Sequence, residues 1–326
     1  MNAASSPASE RRVEIQASGL RVTYDDFVAL RTESLDLRGN IISVIGHNGA
    51  GKSTFIKSIL GILQPSEGTL TSWNVEGEKR SALIPEEHMA FCPEIGAVFA
   101  DISVESYIKL WCRIKHRDGN YYKKQGAHYI DVLQVSPLLK KLGRELSKGQ
   151  RRRVQTAIGF LVRPKLFLFD EPFDGLDVQK TSELADIIRQ EALTTSFIIS
   201  SHRMDVVERL SDQLVVLKEG SFHSAGSVEE VCRRLCGRSA VVSDIPDVPA
   251  LLESLRVRYP ECFISRIGPQ VSITGTSFRL KGLATAVGEV CGSRGKIDEI
   301  QPSLVGAMNF HLKDMGSYQE AAQPKS

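Results

Sequence analysis

The stretch GHNGAGKS, residues 46–53, is the feature of this sequence that most constrains its fold. It fits the spacing G-x-x-x-x-G-K-[ST] in full. The apolar run ISVI precedes it, and a stretch with helical spacing, STFIKSILGIL, follows. A glycine-rich turn between a strand and a helix points backbone N–H groups at phosphate oxygens. The context therefore favours a phosphate-binding loop over a chance turn.

The residues of this loop have distinct predicted roles. The ammonium group of Lys52 is expected to reach the β- and γ-phosphates of a nucleoside triphosphate, and the Ser53 hydroxyl is expected to bind Mg²⁺. The residues predicted to contact the nucleotide are Gly46, His47, Asn48, Gly49, Ala50, Gly51, Lys52, Ser53 and Thr54.

A second motif, LFLFDE at residues 166–171, supplies carboxylates for the same site. An apolar strand that ends in Asp170 brings this side chain to the carboxyl edge of the sheet, where ligands of such folds bind. Asp170 is predicted to hold the Mg²⁺, and Glu171 to orient and polarise a water beside the γ-phosphate. Two acids after a strand also suit a helix N-cap, but Pro172 and the phosphate loop favour the catalytic interpretation.

Strand and helix patterns that alternate along the chain predict an α/β fold with a mainly parallel sheet. Residues 100–161 are mostly helical, with amphipathic stretches at 104–114 and 126–139. After about residue 236, the order βαββαβ predicts a small ferredoxin-like α+β domain. The predicted segments are a disordered N-terminus at 1–11, a nucleotide-binding unit at 12–235 with a helical subdomain at about 95–161, an α+β accessory domain at 236–314 and a disordered tail at 315–326.

Composition restricts the partners and the location. The 326 residues include 41 basic and 39 acidic side chains, a formal net charge of +2, which gives no reason to expect nucleic acid as a partner. No apolar run approaches the ~20 residues that span a bilayer. The start, MNAASSPASERR, lacks the apolar stretch of a secretory signal. Six scattered cysteines without metal-site spacing are expected to be reduced and structural. We therefore expect a cytosolic chain whose link to any membrane runs through a partner.

Taken in order, the stretches GHNGAGKST, LSKGQ, LFLFDEPFDGLD and SSH resemble the motifs of the ATP-binding subunits of ABC transporters, over roughly residues 13–235. The resemblance implies a P-loop NTPase fold of the ABC cassette type, with ATP and Mg²⁺ as cofactors. It also implies an ATP hydrolase that acts at the cytoplasmic face of the membrane. Its implied partners are a separate membrane permease and a second ATP-binding subunit, either identical or closely related.

The resemblance assigns roles to three further residues. Tyr24 matches the aromatic side chain that stacks on adenine, although a core position is equally compatible with tyrosine. His202, in SSHRMD, matches the histidine that contacts the γ-phosphate, with a structural histidine as the alternative. Asp177, in FDGLD, matches the loop that crosses to the opposite subunit.

The stretch LSKGQRRR, residues 146–153, suggests a nucleic-acid patch when it is taken alone. In the resembled family, LSKGQ is the signature that faces the ATP of the partner subunit. The resemblance therefore assigns Ser147, Gly149 and Gln150 to nucleotide contact, with Ser147 capping a helix whose free N–H groups point at an anion. Three interpretations of residues 151–153 stay open. Their side chains pair with nearby acids, add positive electrostatic potential at the interface of the two subunits, or are simply exposed to solvent.

Three positions depart from the family pattern. Glu94 stands where glutamine is usual; as an Mg²⁺ ligand it adds negative charge near Asp170 and Glu171. The glutamate at position 94 and the C-terminal extension both resemble the exporter-type branch of the family. The added negative charge of Glu94 puts the rate of ATP hydrolysis in question. Lys148 replaces the commonest glycine of the signature, and His47 replaces a common proline.

The sequence thus predicts a subunit that dimerises around two ATP and drives translocation by a separate membrane protein, with export as the expected direction. The alternative is a soluble ABC ATPase that acts on nucleic acid, on ribosomes or in cofactor assembly. The single cassette, the lack of a long coiled-coil insertion and the lack of cysteine clusters weigh against the nucleic-acid and ribosome alternatives.

Overall fold

A computed structural model describes residues 11–96 and 98–314, which form two compact units that divide after Gly226. Of the segments predicted to be disordered, residues 1–10 and 315–326 lie outside the described residues, and Arg11 begins the first strand.

The first unit contains a ten-stranded sheet. Its strands are β1 (Arg11–Tyr24), β2 (Phe27–Gly39), β3 (Ile41–Ile45), β4 (Glu67–Glu76), β5 (Lys79–Ala82), β6 (Met89–Cys92), β7 (Leu166–Asp170), β8 (Ser196–Ser200), β9 (Gln213–Lys218) and β10 (Ser221–Gly226). The order across the sheet is β5-β4-β1-β2-β10-β9-β3-β8-β7-β6.

The sheet is mixed rather than mainly parallel. Strands β9, β3, β8, β7 and β6 are parallel neighbours, whereas β5, β4, β1 and β2 pair antiparallel. The predicted parallel core is formed by β9, β3, β8, β7 and β6, and the sequence analysis did not foresee the antiparallel strands that extend it. Strands β1 and β2 are long, and buried residues alternate with exposed or half-buried ones along much of their length. This pattern suits antiparallel pairing in which one face of the sheet is in solvent.

The helices of the first unit are α1 (Lys52–Ile59), α2 (Pro85–His88), α3 (Val104–His116), α4 (Tyr121–Lys124), α5 (Ala127–Val132), α6 (Lys148–Leu161), α7 (Val178–Glu191) and α8 (Met204–Leu210). Helix α6 begins at a capping box, in which Ser147 Oγ accepts from the Gln150 amide at 3.2 Å and Gln150 Oε1 accepts from the Ser147 amide at 3.1 Å. Its apolar residues Ala157, Ile158 and Leu161 are buried, as their spacing predicts.

The amphipathic stretch at 126–139 is not one helix. It consists of α5 and a short 3₁₀ turn at Ser136–Leu138, with Gln134 between them at φ 52°. The left-handed backbone at Gln134 and the ring of Pro137 interrupt helical hydrogen bonding, although the apolar spacing continues. Ile130, Leu133 and Leu138 are buried all the same, so the hydrophobic pattern predicted the core face but not the break.

The second unit has the predicted order of elements. It contains α9 (Val228–Cys236), β11 (Arg238–Ser243), α10 (Val248–Arg258), β12 (Phe263–Ile267), β13 (Gln270–Gly275), α11 (Leu280–Cys291), β14 (Lys296–Ile300) and α12 (Leu304–Asp314). The four strands pair antiparallel in the order β12-β13-β11-β14, which is the ferredoxin-like arrangement.

Helix α9 marks the difference between the predicted and the observed boundary. The sequence places residues up to 235 in the nucleotide-binding unit, whereas in the structure α9 packs against α12 and belongs to the second unit. The buried face of α9, with Val231, Cys232, Leu235 and Cys236, explains this assignment.

Two expectations from composition can be compared with the structure. None of the six cysteines, all of which lie in the described part of the chain, forms a disulfide, and all six are buried. Within residues 11–96 and 98–314, none of the helices combines the length and the apolar character that crossing a bilayer requires.

Candidate functional site

The phosphate loop lies between β3 and α1, at the carboxyl end of a fully buried strand. Gly49 and Gly51 have φ values of 82° and 102°, which side chains with a Cβ rarely adopt. Gly46 lies so close to β9 that an added Cβ would be 2.4 Å from the carbonyl oxygen of Leu217. Backbone geometry therefore explains why glycine is present at each of these three positions of the loop.

Lys52 is buried, with 6% of its side chain exposed, and its ammonium group contacts oxygen atoms of the phosphate loop and of Glu171. Its Nζ donates to the carbonyl oxygens of Gly46 at 2.9 Å and His47 at 3.3 Å, and it lies 3.3 Å from Glu171 Oε1. A buried charge needs such partners, because desolvation is costly. The lysine of the loop and the predicted catalytic glutamate are thus in direct contact.

Asp170 ends β7 and Glu171 follows it, and both are buried, at 6% and 8% exposure. The carboxylate of Asp170 accepts a hydrogen bond from Ser200 Oγ at 2.6 Å. The Glu171 amide donates to Ser200 O at 3.1 Å and to Ser200 Oγ at 2.9 Å. Since Asp170 and Ser200 are register partners in parallel strands, Ser200 fixes both acids at the same edge of the sheet.

His202 lies next to Glu171. Its Nδ1 is 2.9 Å from Glu171 Oε2, and its backbone amide donates to the same oxygen at 3.2 Å. The side chain of His202 is 51% exposed, whereas that of Glu171 is 11% exposed. The ring therefore holds the carboxylate from one side and reaches toward solvent on the other.

The phosphate loop and Glu171 border a cleft of about 300 Å³. Its lining consists of the loop residues Asn48, Gly49, Gly51, Lys52, Ser53 and Thr54, together with Glu171, Glu94, Tyr24, Phe27 and Ala29. Tyr24 and Phe27 are register partners of β1 and β2 and are 43% and 68% exposed. Exposed aromatic rings beside a phosphate loop offer apolar faces for a nucleobase.

The donor set fits a magnesium ion. Ser53 and Glu94 line the cleft, and Asp170 is oriented by Ser200, so the available ligands are hydroxyl and carboxylate oxygens. Across the described ranges 11–96 and 98–314, no three His, Cys, Asp or Glu side chains cluster tightly enough to bind a metal. Phosphate oxygens and water would therefore have to complete the coordination.

The predicted signature residues do not line this cleft. Ser147, Gly149 and Gln150 form the N-terminus of α6, and Asp177 caps α7 by accepting from the Lys180 amide at 2.8 Å. Nothing within 4 Å of Gly149 would contact an added Cβ, so the surface at this helix start is open. An assignment of these residues to nucleotide contact requires a second subunit.

Two residues of the site were missed by the sequence analysis. Ser200 is the first residue of the SSH motif but received no role there; a signal for it is the alignment of two parallel strands that end in Asp170 and a hydroxyl residue. Phe27 gives no motif signal, and only its pairing with Tyr24 across the β1–β2 turn places it at the cleft.

A glycine loop on a sheet edge, a buried lysine and paired acids define a P-loop nucleotide-binding protein. More particularly, residues 32–174 match the family model described as ABC transporter, and this part of the chain resembles the ATP-binding domains of that family.

Relatives with known names are similar over the same kind of domain. The chain is 28% identical over 228 residues to the sulfate/thiosulfate import ATP-binding protein CysA of Mesorhizobium japonicum. The alignment covers 67% of this chain and 65% of that protein. It is 29% identical over 226 residues to an uncharacterized ABC transporter ATP-binding protein of Methanocaldococcus jannaschii, covering 68% of this chain and 80% of that one. The chain thus spans slightly less than two thirds of the sulfate-import relative.

Solved structures have the same fold. A structure titled as the ATP binding subunit of an ABC transporter superposes with a TM-score of 0.59 at 26% identity, covering 68% of this chain and 92% of that one. The ATP-bound structure of a bacterial Atm1-family ABC exporter superposes with a TM-score of 0.56 at 22% identity, covering 68% of this chain and 40% of that one.

Proposed function

We propose that this chain binds and hydrolyses ATP and drives transport by a separate membrane-spanning subunit. The observation that carries the proposal is the contact of Lys52 with Glu171 beside the phosphate loop, with His202 on the other oxygen of the same carboxylate. This arrangement joins a phosphate-binding cation, a general base and a polar side chain at the edge of one sheet.

The residues suggest how hydrolysis proceeds. Phosphate oxygens of ATP compete with Glu171 for the Lys52 ammonium group, which leaves the carboxylate able to accept a proton from a water beside the γ-phosphate. His202 keeps Glu171 oriented while its exposed ring edge contacts the γ-phosphate. Ser53, Asp170 and Glu94 would hold Mg²⁺, which neutralises charge on the phosphates when bound.

The variant Glu171→Gln tests the role of the carboxylate. It keeps the size of the side chain and removes the base, so we expect ATP affinity within a few-fold of the parent and hydrolysis lowered by about a hundredfold or more. Equilibrium ATP binding and phosphate release measure the two quantities. Glu183→Gln, a change at a partly exposed position of α7 outside the cleft, is the control; a Glu171→Gln variant that hydrolyses at the parent rate contradicts the assignment.

We further propose that two such subunits, identical or closely related, enclose two ATP. The open N-terminus of α6 presents free N–H groups and Ser147 to an anion, and a helix of 14 residues supplies a favourable dipole. Size-exclusion chromatography with light scattering should show a dimer of Glu171→Gln with ATP and a monomer without it. A monomer under both conditions contradicts the dimer.

A groove on the helical subdomain is the proposed docking place of the permease. It encloses about 290 Å³ and is lined by Phe91, Tyr107, Trp111, Ile158 and Val162, among others. On the same helix α3, Leu110 and Ile114 are 41% and 58% exposed. An apolar groove beside exposed aliphatic side chains suits a short amphipathic helix.

Purification from detergent-solubilised membranes tests the partner. The parent chain should bring down a multi-span protein, and Ile114→Asp should lose it. Leu193→Asp is the matched control, because Leu193 is 83% exposed in the same unit but lies after α7. Recovery of ribosomes or nucleic acid instead of a membrane protein supports the alternative, a soluble ABC ATPase.

Export is the finer part of the proposal. It rests on Glu94 in place of glutamine and on the C-terminal α+β unit, whereas the sulfate/thiosulfate relative is named for import. The captured permease decides the direction, because it selects the cargo. The location follows from the partner: the chain lies at the cytoplasmic face of the membrane through the permease.

A further inference from the structure

Arg152 is a buried guanidinium whose hydrogen bonds go to backbone carbonyl groups of two other segments. Only 4% of the residue is exposed. Its Nη2 donates to Glu94 O at 2.8 Å, and its Nη1 donates to Asp174 O at 2.6 Å and to Pro172 O at 3.4 Å. The planar fork of arginine suits several acceptors at once, which lysine cannot reproduce.

Lys148 lies one turn earlier on the same face of α6 and contacts the side chains of the same two acids. Its Nζ is 3.7 Å from Glu94 Oε1 and 3.7 Å from Asp174 Oδ2. Positions i and i+4 of a helix are neighbours, so the two cations act on one place. We call Lys148 and Arg152 the basic clamp.

The segments held by the basic clamp flank the site. Glu94 lines the nucleotide cleft, and its turn packs tightly on α6: a Cβ added at Gly96 would be 2.8 Å from Gln155 Oε1 and 3.2 Å from the backbone carbon of Arg151. Pro172 comes directly after Glu171, and Asp174 lies two residues beyond Pro172. The Asp174 amide also donates back to Glu171 O at 3.2 Å.

The backbone of Glu171 needs such support, because its φ of 50° is unfavourable for a side chain with a Cβ. Ser200 holds the amide of Glu171 from one side. On the other side, Arg152 binds the carbonyl oxygens of Pro172 and Asp174, which follow Glu171 in the chain. A residue in a sparsely populated backbone conformation persists where its surroundings determine it from both directions.

We propose that Arg152 is a positioning residue for Glu171, and that Lys148 strengthens the same connection through the side chains of Glu94 and Asp174. The proposal rests on the proposed role of Glu171 in hydrolysis. Two of the three positions that depart from the family pattern, Glu94 and Lys148, are then a complementary pair: the added negative charge at the cleft meets an added positive charge on α6.

The first test is Arg152→Lys, with Arg153→Lys as the matched control. Arg153 is the next residue of the same helix and donates to Gln134 Oε1 at 2.8 Å, away from the site. We expect kcat for ATP hydrolysis to fall about ten- to a hundredfold in Arg152→Lys, since a displacement near 1 Å has such effects, while KM stays within about twofold. Arg153→Lys should leave both parameters unchanged.

Amide hydrogen exchange supplies a readout that does not depend on activity. In Arg152→Lys, exchange of residues 173–176 should accelerate, while β8 stays as protected as in the parent. Equal loss of protection in both segments means that the variant has lost structure generally, and an unchanged segment 173–176 overturns the positioning role.

Lys148 provides a second test that cannot be confused with unfolding, because its side chain is 57% exposed. Lys148→Met should lower kcat about two- to fivefold at low salt, in keeping with an exposed ion pair, and high salt should shrink the difference. Lys148→Arg should restore the parent rate. An equal loss in Lys148→Arg and Lys148→Met overturns the charge pairing.

The outcomes separate this inference from the proposed function. If Glu171→Gln loses hydrolysis but Arg152→Lys keeps the parent kcat, only the positioning role is wrong. If Glu171→Gln hydrolyses normally, the assignment of Glu171 is wrong, and accelerated exchange in Arg152→Lys then shows that the basic clamp is structural only.

Discussion

At the scale of single residues, Ser200 organises the acidic end of the site. One hydroxyl donates to Asp170 and accepts from the Glu171 amide, and it has no exposed surface. A serine hydroxyl is both donor and acceptor, so it can serve both acids at once. The geometry of the two acids therefore depends on a residue of the SSH motif to which the sequence analysis gave no role.

The variant Ser200→Ala tests this dependence. Asp170 loses the donor that orients it, so the Mg²⁺ concentration for half-maximal hydrolysis should rise about tenfold, the size typical of residues that support metal ligands. Titration of activity against Mg²⁺ gives the value. Ser43→Ala is the control: Ser43 is equally buried on β3 but bonds to Ser211 rather than to the acids. A similar shift in both variants speaks against a specific role.

The sequence predicts the chemistry of the site better than its connections. Motif spacing predicts roles for Lys52, Ser53 and Asp170, because the glycines and the strand ends that place them are local features. Ser200 and Arg152 are functional candidates only through strand register and through contacts with distant carbonyl groups. These contacts form between segments far apart in the chain, so no local pattern records them.

At the scale of elements, α6 meets the sheet at an unusually close point. A Cβ added at Gly159 would lie 2.0 Å from the ring carbon Cζ of Phe167 on β7. The aromatic rings of Phe160, Phe167, Phe169 and Phe197 pack together in this layer. Apolar spacing predicted the buried face of α6, but not that glycine is required for its approach.

Replacement of Gly159 by alanine should therefore destabilise the protein, although alanine favours helices. Overpacking of this kind lowers the free energy of unfolding by about 1–3 kcal/mol. Gly288→Ala in α11 is the contrasting variant, because nothing lies within 4 Å of its added Cβ; it should gain about 0.5–1 kcal/mol. Chemical denaturation of the two variants should give shifts of opposite sign.

Helix α3 carries a carboxylate that makes the helical subdomain sensitive to acid. Hydrogen bonds from Tyr122 and Lys109 lower the pKa of Glu105 from its ordinary value of 4.5 to about 2. Tyr122 Oη donates to Glu105 Oε1 at 2.6 Å, and Lys109 Nζ is 2.9 Å from the same oxygen. A lowered pKa means that the ionised form stabilises the folded state.

The contribution of Glu105 should be complete above pH 4.5 and disappear as the pH falls toward about 2. Glu105→Gln should flatten the loss of stability across this interval, and Tyr122→Phe should reduce it. Thermal unfolding followed by circular dichroism at several pH values measures the effect. An unchanged pH profile in Glu105→Gln would mean that the carboxylate does not contribute.

At the scale of the whole molecule, the described residues form two compact units that divide after Gly226. The element order of the second unit followed from the sequence, because alternating strands and amphipathic helices leave few arrangements of four strands. The boundary did not follow, since helical spacing in α9 shows which face is buried but not what covers it.

This division predicts two unfolding transitions in calorimetry, of which only one responds to nucleotide. The cleft lies in the first unit, so ATP at a hundred times its Kd should stabilise that unit by about 2.7 kcal/mol and leave the other transition in place. Glu171→Gln should be used, to prevent turnover. A single transition that shifts as a whole would show that the units unfold together.

The sheet of the first unit ends in two short strands. Strands β5 and β6 have four residues each, and β5 is exposed along its whole length and carries Lys79 and Arg80. Short, charged edges are poor templates for another strand. Edge-to-edge aggregation of folded chains through β5 is therefore disfavoured, even at high protein concentration.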